Sequence, residues 1–126
     1  MGENNGFYRV YKVVLEIISM DEKDLRDRPL ASAQKLFSFL KSLPQQAFLS
    51  PYQYEALSQD TREIENLISL LSEATSREDW QTLWNTITEL KRRIGGYVGN
   101  ELGQNLDHLV ETLWIDVLNS YSEIMK

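Results

Sequence analysis

The sequence predicts an all-α protein, a single-domain bundle of about five helices over residues 1–126, and three observations carry that prediction. Glycine is confined to positions 2, 6, 95, 96, 99 and 103, so residues 7–94 contain none. The three prolines, Pro29, Pro44 and Pro51, fall where apolar periodicity restarts or stops. Between these points apolar residues recur at spacings of three and four, the period of a helix with one buried face.

A first helix is expected from about Phe7 to Met20, where Arg9, Lys12, Glu16 and Ser19 form one narrow polar stripe among nearly continuous apolar residues. Its β-branched residues would also suit a buried strand, but the run is long for a strand and lacks period-two alternation. Asp21 to Arg28 reads as a charged connector. Asp27 would cap a second helix and Pro29 would open its first turn. Leu30, Ala33, Leu36, Phe37, Leu40 and Leu43 give that helix its apolar face, and Pro44 is expected to stop it. Ala47, Phe48 and Leu49 are expected to pack inward from the following link.

Ser50-Pro51 repeats the cap-then-proline start. The third helix either continues to about Thr75 or breaks at Asp60, because Asp60-Thr-Arg-Glu63 resembles a capping box. Ile64, Leu67, Ile68 and Leu71 mark its core face. Ser76 and Asp79 form a further cap-and-acid pair, and Trp80, Leu83, Trp84, Ile87, Leu90 and Ile94 follow at helical spacing. Lys91, Arg92 and Arg93 suit the negative end of that helix dipole, and Gly95-Gly96 ends the element. After a glycine-rich link to about Gly103, Leu106, Leu109, Val110, Leu113, Val117, Leu118 and Tyr121 define the last helix.

The chain has no cysteine and one histidine, which excludes disulfides, thiolate metal sites and a cysteine nucleophile. Met1–Gly6 lacks a cationic segment leading into an apolar run, and no stretch approaches the ~20 apolar residues of a membrane span. A cytoplasmic protein with no membrane partner is therefore expected. His108 could be read with Asp107 and Glu111 as a metal cluster, but metal sites in helical proteins need more histidine and carboxylate ligands, so a solvated surface residue is the plainer reading. Gly95-Gly-Tyr-Val-Gly-Asn-Glu-Leu-Gly103 matches no phosphate-binding pattern. Trp80, Trp84 and Trp114 sit at core spacing, and the acids of the second half read as a solvated face. No catalytic constellation, cofactor, metal or small-molecule substrate is implied, and the chain is expected not to be an enzyme.

Charge is the remaining signal. Net charge is −6, but residues 1–50 sum to +1 and residues 51–126 to −7, with no acid between Asp27 and Glu55. Candidate contacts to a nucleic-acid backbone are Arg9, Lys12, Arg28, Lys35 and Lys41, helped by the hydroxyls of Ser32 and Ser38, together with Lys91, Arg92 and Arg93. An acidic chain is a poor autonomous nucleic-acid binder, yet a subunit whose neighbours supply most of the positive field escapes that objection.

A short, cysteine-free, all-helical chain with a basic second helix and an acidic remainder resembles the helical small subunit of CRISPR interference complexes. The resemblance is architectural over the whole chain and rests on no residue motif. It implies a non-enzymatic subunit of an antiviral-defence assembly that contacts other protein subunits and, within that assembly, RNA or DNA backbone. The competing expectation is an acidic adaptor or immunity-type inhibitor that binds a basic protein through its last three helices.

Overall fold

The computed structural model describes residues 22–126, and they fold as four α-helices with no strand among the described residues: α1 Glu22–Gln46, α2 Pro51–Glu73, α3 Arg77–Lys91 and α4 Asn100–Ile124. The protein is all-α. The expected helix from Phe7 to Met20, with Arg9 and Lys12, lies outside the described residues. Each apolar stripe foreseen for residues 22–126 faces inward. Leu36, Leu40 and Leu43 of α1 meet Ile64, Leu67 and Leu71 of α2, Leu83, Ile87 and Leu90 of α3, and Leu106, Leu113 and Val117 of α4 in one buried cluster. Each such side chain contributes about 1.5–3 kcal/mol by leaving water.

α4 runs antiparallel to both α1 and α3, because contacts run in opposite sequence directions. Leu25 and Ser32 of α1 meet Ser120 and Asp116 of α4. Gln81 and Lys91 of α3 meet Tyr121 and Glu111 of α4. α1 packs on α2 and α4, while α3 packs on α4 and less extensively on α2.

The expected connector Asp21–Arg28 is helical over its described part, and Pro29 lies inside α1 instead of opening it. A proline within a helix leaves the carbonyl four residues earlier without its N–H partner, here that of Leu25. The buried Ser120 hydroxyl donates to that Leu25 oxygen at 2.7 Å. α4 thus repairs the break, and Leu25 and Pro29 join the buried stripe of α1. Nor does Pro44 stop α1: it falls in the last turn, which runs on to Gln46, and the Ala47 amide bonds the Leu43 carbonyl at 3.0 Å just past the end.

Both serine caps behave as the sequence predicts. Ser50 and Gln53 close a reciprocal box at the start of α2, with Pro51 in the first turn, and Ser76 and Asp79 do the same for α3. The Thr75 and Ser76 amides both donate to the Asp79 carboxylate, which lowers its pKa. α2 does not break at Asp60. α3 ends at Lys91, two residues short of Arg93, and residues 92–97 turn toward α4. α4 starts at Asn100, so Gly103 lies in its first turn, where a Cβ would stand 2.9 Å from the Val98 carbonyl oxygen.

Trp80 is core, as expected, whereas Trp84 and Trp114 are half-buried and join Tyr121 in an aromatic stack along the α3–α4 seam. The Trp84 centroid lies 5.4 Å from each of the other two rings.

Candidate functional site

The predicted basic residues do not form one surface. Arg28 and Lys35 are exposed on the flank of α1 that also carries Ser32, whose hydroxyl donates to the Asp116 carboxylate of α4. Lys35 and Lys41 are six residues apart, which turns them about 120° around a helix of ~3.6 residues per turn. Lys41 accordingly lies on the opposite flank, in a groove with Tyr54, Ser58 and Arg62 of α2, and its ammonium stands 5.9 Å from the Phe37 ring centroid. Ser32 is thus committed to an acid, and no single stripe of cations and hydroxyls runs along α1.

The second basic group is matched by acids. The Lys91 ammonium pairs with Glu111 at 3.2 Å and lies 4.7 Å above the Trp114 ring centroid. Arg92 pairs with Glu89 at 3.5 Å, one turn earlier. Arg93 bonds Glu63 at 2.5 Å and approaches Asp60 at 3.9 Å. His108 is exposed on α4, and no cluster of three potential metal ligands occurs among the described residues. No helix of the described residues is long and apolar enough to cross a membrane.

The arrangement that sequence reasoning missed lies where the start of α2 meets the turn after α3. Asp60 is only 6% exposed. It accepts a hydrogen bond from the Gly95 amide at 3.3 Å, made possible by the left-handed φ of +84° at Gly95. Burial raises the Asp60 pKa. Contacts with Tyr97 and Gly95 and the charge on Arg93 oppose that rise, while Glu63 adds to it. The Tyr97 hydroxyl is buried against the same carboxylate, close enough to affect its titration, but it makes no hydrogen bond of good geometry. Burial and that neighbouring carboxylate push the phenol pKa up. Gln53 Nε2 donates to the Tyr97 carbonyl at 3.2 Å and fixes the turn to α2. Between these groups lies a cavity of about 610 Å³, lined by Tyr52, Gln59, Asp60, Arg93 and Tyr97 among others.

Beside it the α1–α2 link exposes aromatic surface. Phe48 is 96% exposed, against the expectation that it packs inward, and Tyr52 is 84% exposed. Ala47 and Leu49 are half-buried, and Leu49 packs on the core. Phe48 lines a second hollow of about 330 Å³ that shares Gln53 and Tyr97 with the Asp60 cavity. One sequence signal for this site existed. Leu57, Asp60, Ile64, Leu67 and Leu71 step along α2 by three and four, so Asp60 stands in a core position of an otherwise apolar stripe.

No protein-family model, no curated protein and no solved structure matches the chain.

Proposed function

We propose that this chain is a non-enzymatic helical-bundle subunit of a larger nucleic-acid-handling assembly, similar in kind to the small subunits of CRISPR interference complexes. It holds its place there chiefly by protein contact. The observation that supports this reading is the aromatic end: Phe48 and Tyr52 are large rings left in water beside two hollows. Buried aromatic anchors dominate the energetics of protein interfaces, and a ring on a short link is well placed to become one. Nucleic-acid contact is secondary and falls to Arg28 and Lys35, which pair with no acid among the described residues.

The test is affinity purification of the tagged full-length chain from the cells that make it, with proteins identified by mass spectrometry and nucleic acid by sequencing. Phe48→Ala with Tyr52→Ala is expected to release the protein partners. Arg28→Glu with Lys35→Glu is expected to reduce the recovered nucleic acid more steeply as salt rises. The isolated chain is expected to bind RNA or DNA only weakly at near-physiological salt, and submicromolar binding by the lone chain would overturn the reading.

The acidic-adaptor alternative has its own support, since Lys91, Arg92 and Arg93 are all matched by acids and the exterior of α2 to α4 stays negative. Glu65 and Glu73 are exposed. Under that reading Glu65→Lys with Glu73→Lys abolishes partner binding, and the Arg28 and Lys35 changes are silent.

A further inference from the structure

We infer that the cavity between the start of α2 and the turn after α3 receives an arginine side chain from a partner protein. This inference rests on the protein-contact reading above and names the chemistry of the partner at that end.

Charge supports it first. Asp60, Glu63 and Arg93 together leave one net negative charge, and the local pairing assigns that surplus to Asp60. Arg93 is bound to Glu63 at 2.5 Å, whereas its nearest nitrogen stays 3.9 Å from the Asp60 oxygen. Within the described residues the carboxylate is flanked by two donors, the Gly95 amide and the Tyr97 hydroxyl, although an ionised carboxylate can accept about four hydrogen bonds. Burial has already made its charge costly.

Unused hydrogen bonding supports it next. The Tyr97 hydroxyl is buried beside the same carboxylate without a hydrogen bond of good geometry, so the bonding capacity of the pair is not fully used. A planar guanidinium carries several N–H donors in a fixed fork, so one group can offer two parallel hydrogen bonds to the Asp60 carboxylate. An ammonium is a point charge and lacks that fork.

Shape supports it last. The cavity, at about 610 Å³, falls in the ~300–1,000 Å³ range typical of binding pockets, and it opens past the exposed Tyr52 ring. Arginine stems and guanidinium planes stack on such rings. The incoming cation displaces no existing pair, because Glu63 continues to hold Arg93.

The probe is an acetylated and amidated Gly-Arg-Gly peptide, titrated into the full-length chain and followed through the amide resonances of Gly95, Gly96 and Tyr97. Saturable shifts are expected, with none from the citrulline counterpart, which has the same shape without the charge. Asp60→Asn, which retains an acceptor for Gly95, is expected to weaken binding at least about tenfold. Tyr52→Ala, an exposed change that leaves the fold intact, is expected to weaken it by a smaller factor. Equal shifts from the citrulline peptide, unchanged affinity in both variants, or tighter binding of free L-arginine than of the capped peptide would overturn the assignment. The two readings fail separately. If Phe48→Ala with Tyr52→Ala releases the partners but no arginine shift occurs, the assembly stands and the pocket falls. If arginine binds as described but those variants release nothing, the pocket stands without that assembly.

Discussion

Two of the long-range polar contacts, Ser120 with Leu25 and Asp60 with Gly95, lie near opposite ends of the molecule and are satisfied to different degrees. At the α1–α4 seam, the carbonyl that Pro29 leaves open is met by Ser120 at 2.7 Å. Donor and acceptor are both neutral and the account closes there. At the α2–turn contact, a carboxylate occupies a core position, takes one amide donor at 3.3 Å, and keeps a buried phenol beside it without a hydrogen bond of good geometry. The first contact has the economy of a structural repair. The second carries more polarity than the fold needs, and surplus buried polarity next to a cavity is where a binding role is sought.

The largest effect is expected from Gly95→Ala. The left-handed φ would cost about 1–2 kcal/mol for a residue with a Cβ, and that Cβ would fall 2.5 Å from Leu106 Cδ2, so the fully buried Leu106 must move. A loss of about 3 kcal/mol by denaturant unfolding is expected, together with loss of the Asp60 contact. Ser120→Ala comes next, at about 2 kcal/mol, because it strands the Leu25 carbonyl. The comparison predicts more than the single value. With Pro29→Ala also present, the restored amide can bond Leu25, so Ser120→Ala should cost clearly less, and a double-mutant cycle measures the difference. Additive costs would show that the serine does not serve the proline.

Asp60→Asn is expected to act in the opposite direction. Burial raises the folded-state pKa above the ordinary 3.8, so the fold holds the Asp60 proton more tightly than the unfolded chain does. The contribution of Asp60 is therefore most favourable below pH 3.8 and is lost as pH rises through the raised folded value. Asparagine does not titrate. The thermal midpoint of Asp60→Asn should exceed that of the parent at neutral pH, and the gap should close on acidification. A variant less stable than the parent at pH 7 would mean that the ionised carboxylate is well compensated, and the contrast between the two contacts would disappear. Phe48→Ala is the smallest case. With its ring in solvent it should leave stability within about 0.5 kcal/mol while removing partner contact.

Much of the helical plan was legible because local chemistry sets it. Ser50 and Ser76 cap their helices through neighbours three residues away, and the leucine stripes of α1 to α4 follow from spacing alone. Pro29 was misread because the rule that places proline at a helix start is local, whereas the hydroxyl that lets it sit inside α1 belongs to Ser120, 95 residues beyond Leu25. Asp60 was misread for the complementary reason. Its neighbours spell a cap, but its place in the stripe of Leu57 and Ile64 buries it, and tertiary burial overrides the cap. The basic residues were legible as charges and not as a surface, because local spacing does not show that Glu111 and Glu63 fold against Lys91 and Arg93, or that Asp116 takes the Ser32 hydroxyl.

The Ser120–Leu25 bond also imposes an order of events on a chain made from its N-terminus. α1 leaves the ribosome long before Ser120 exists, so until then the Leu25 carbonyl must stay in contact with water, and the proline remains a weak point in a nascent helix. Docking of α4 removes that weakness and excludes the water in one step. α1 therefore reaches full protection against hydrogen exchange only after α4 is in place, and of the described helices the one made first is completed last.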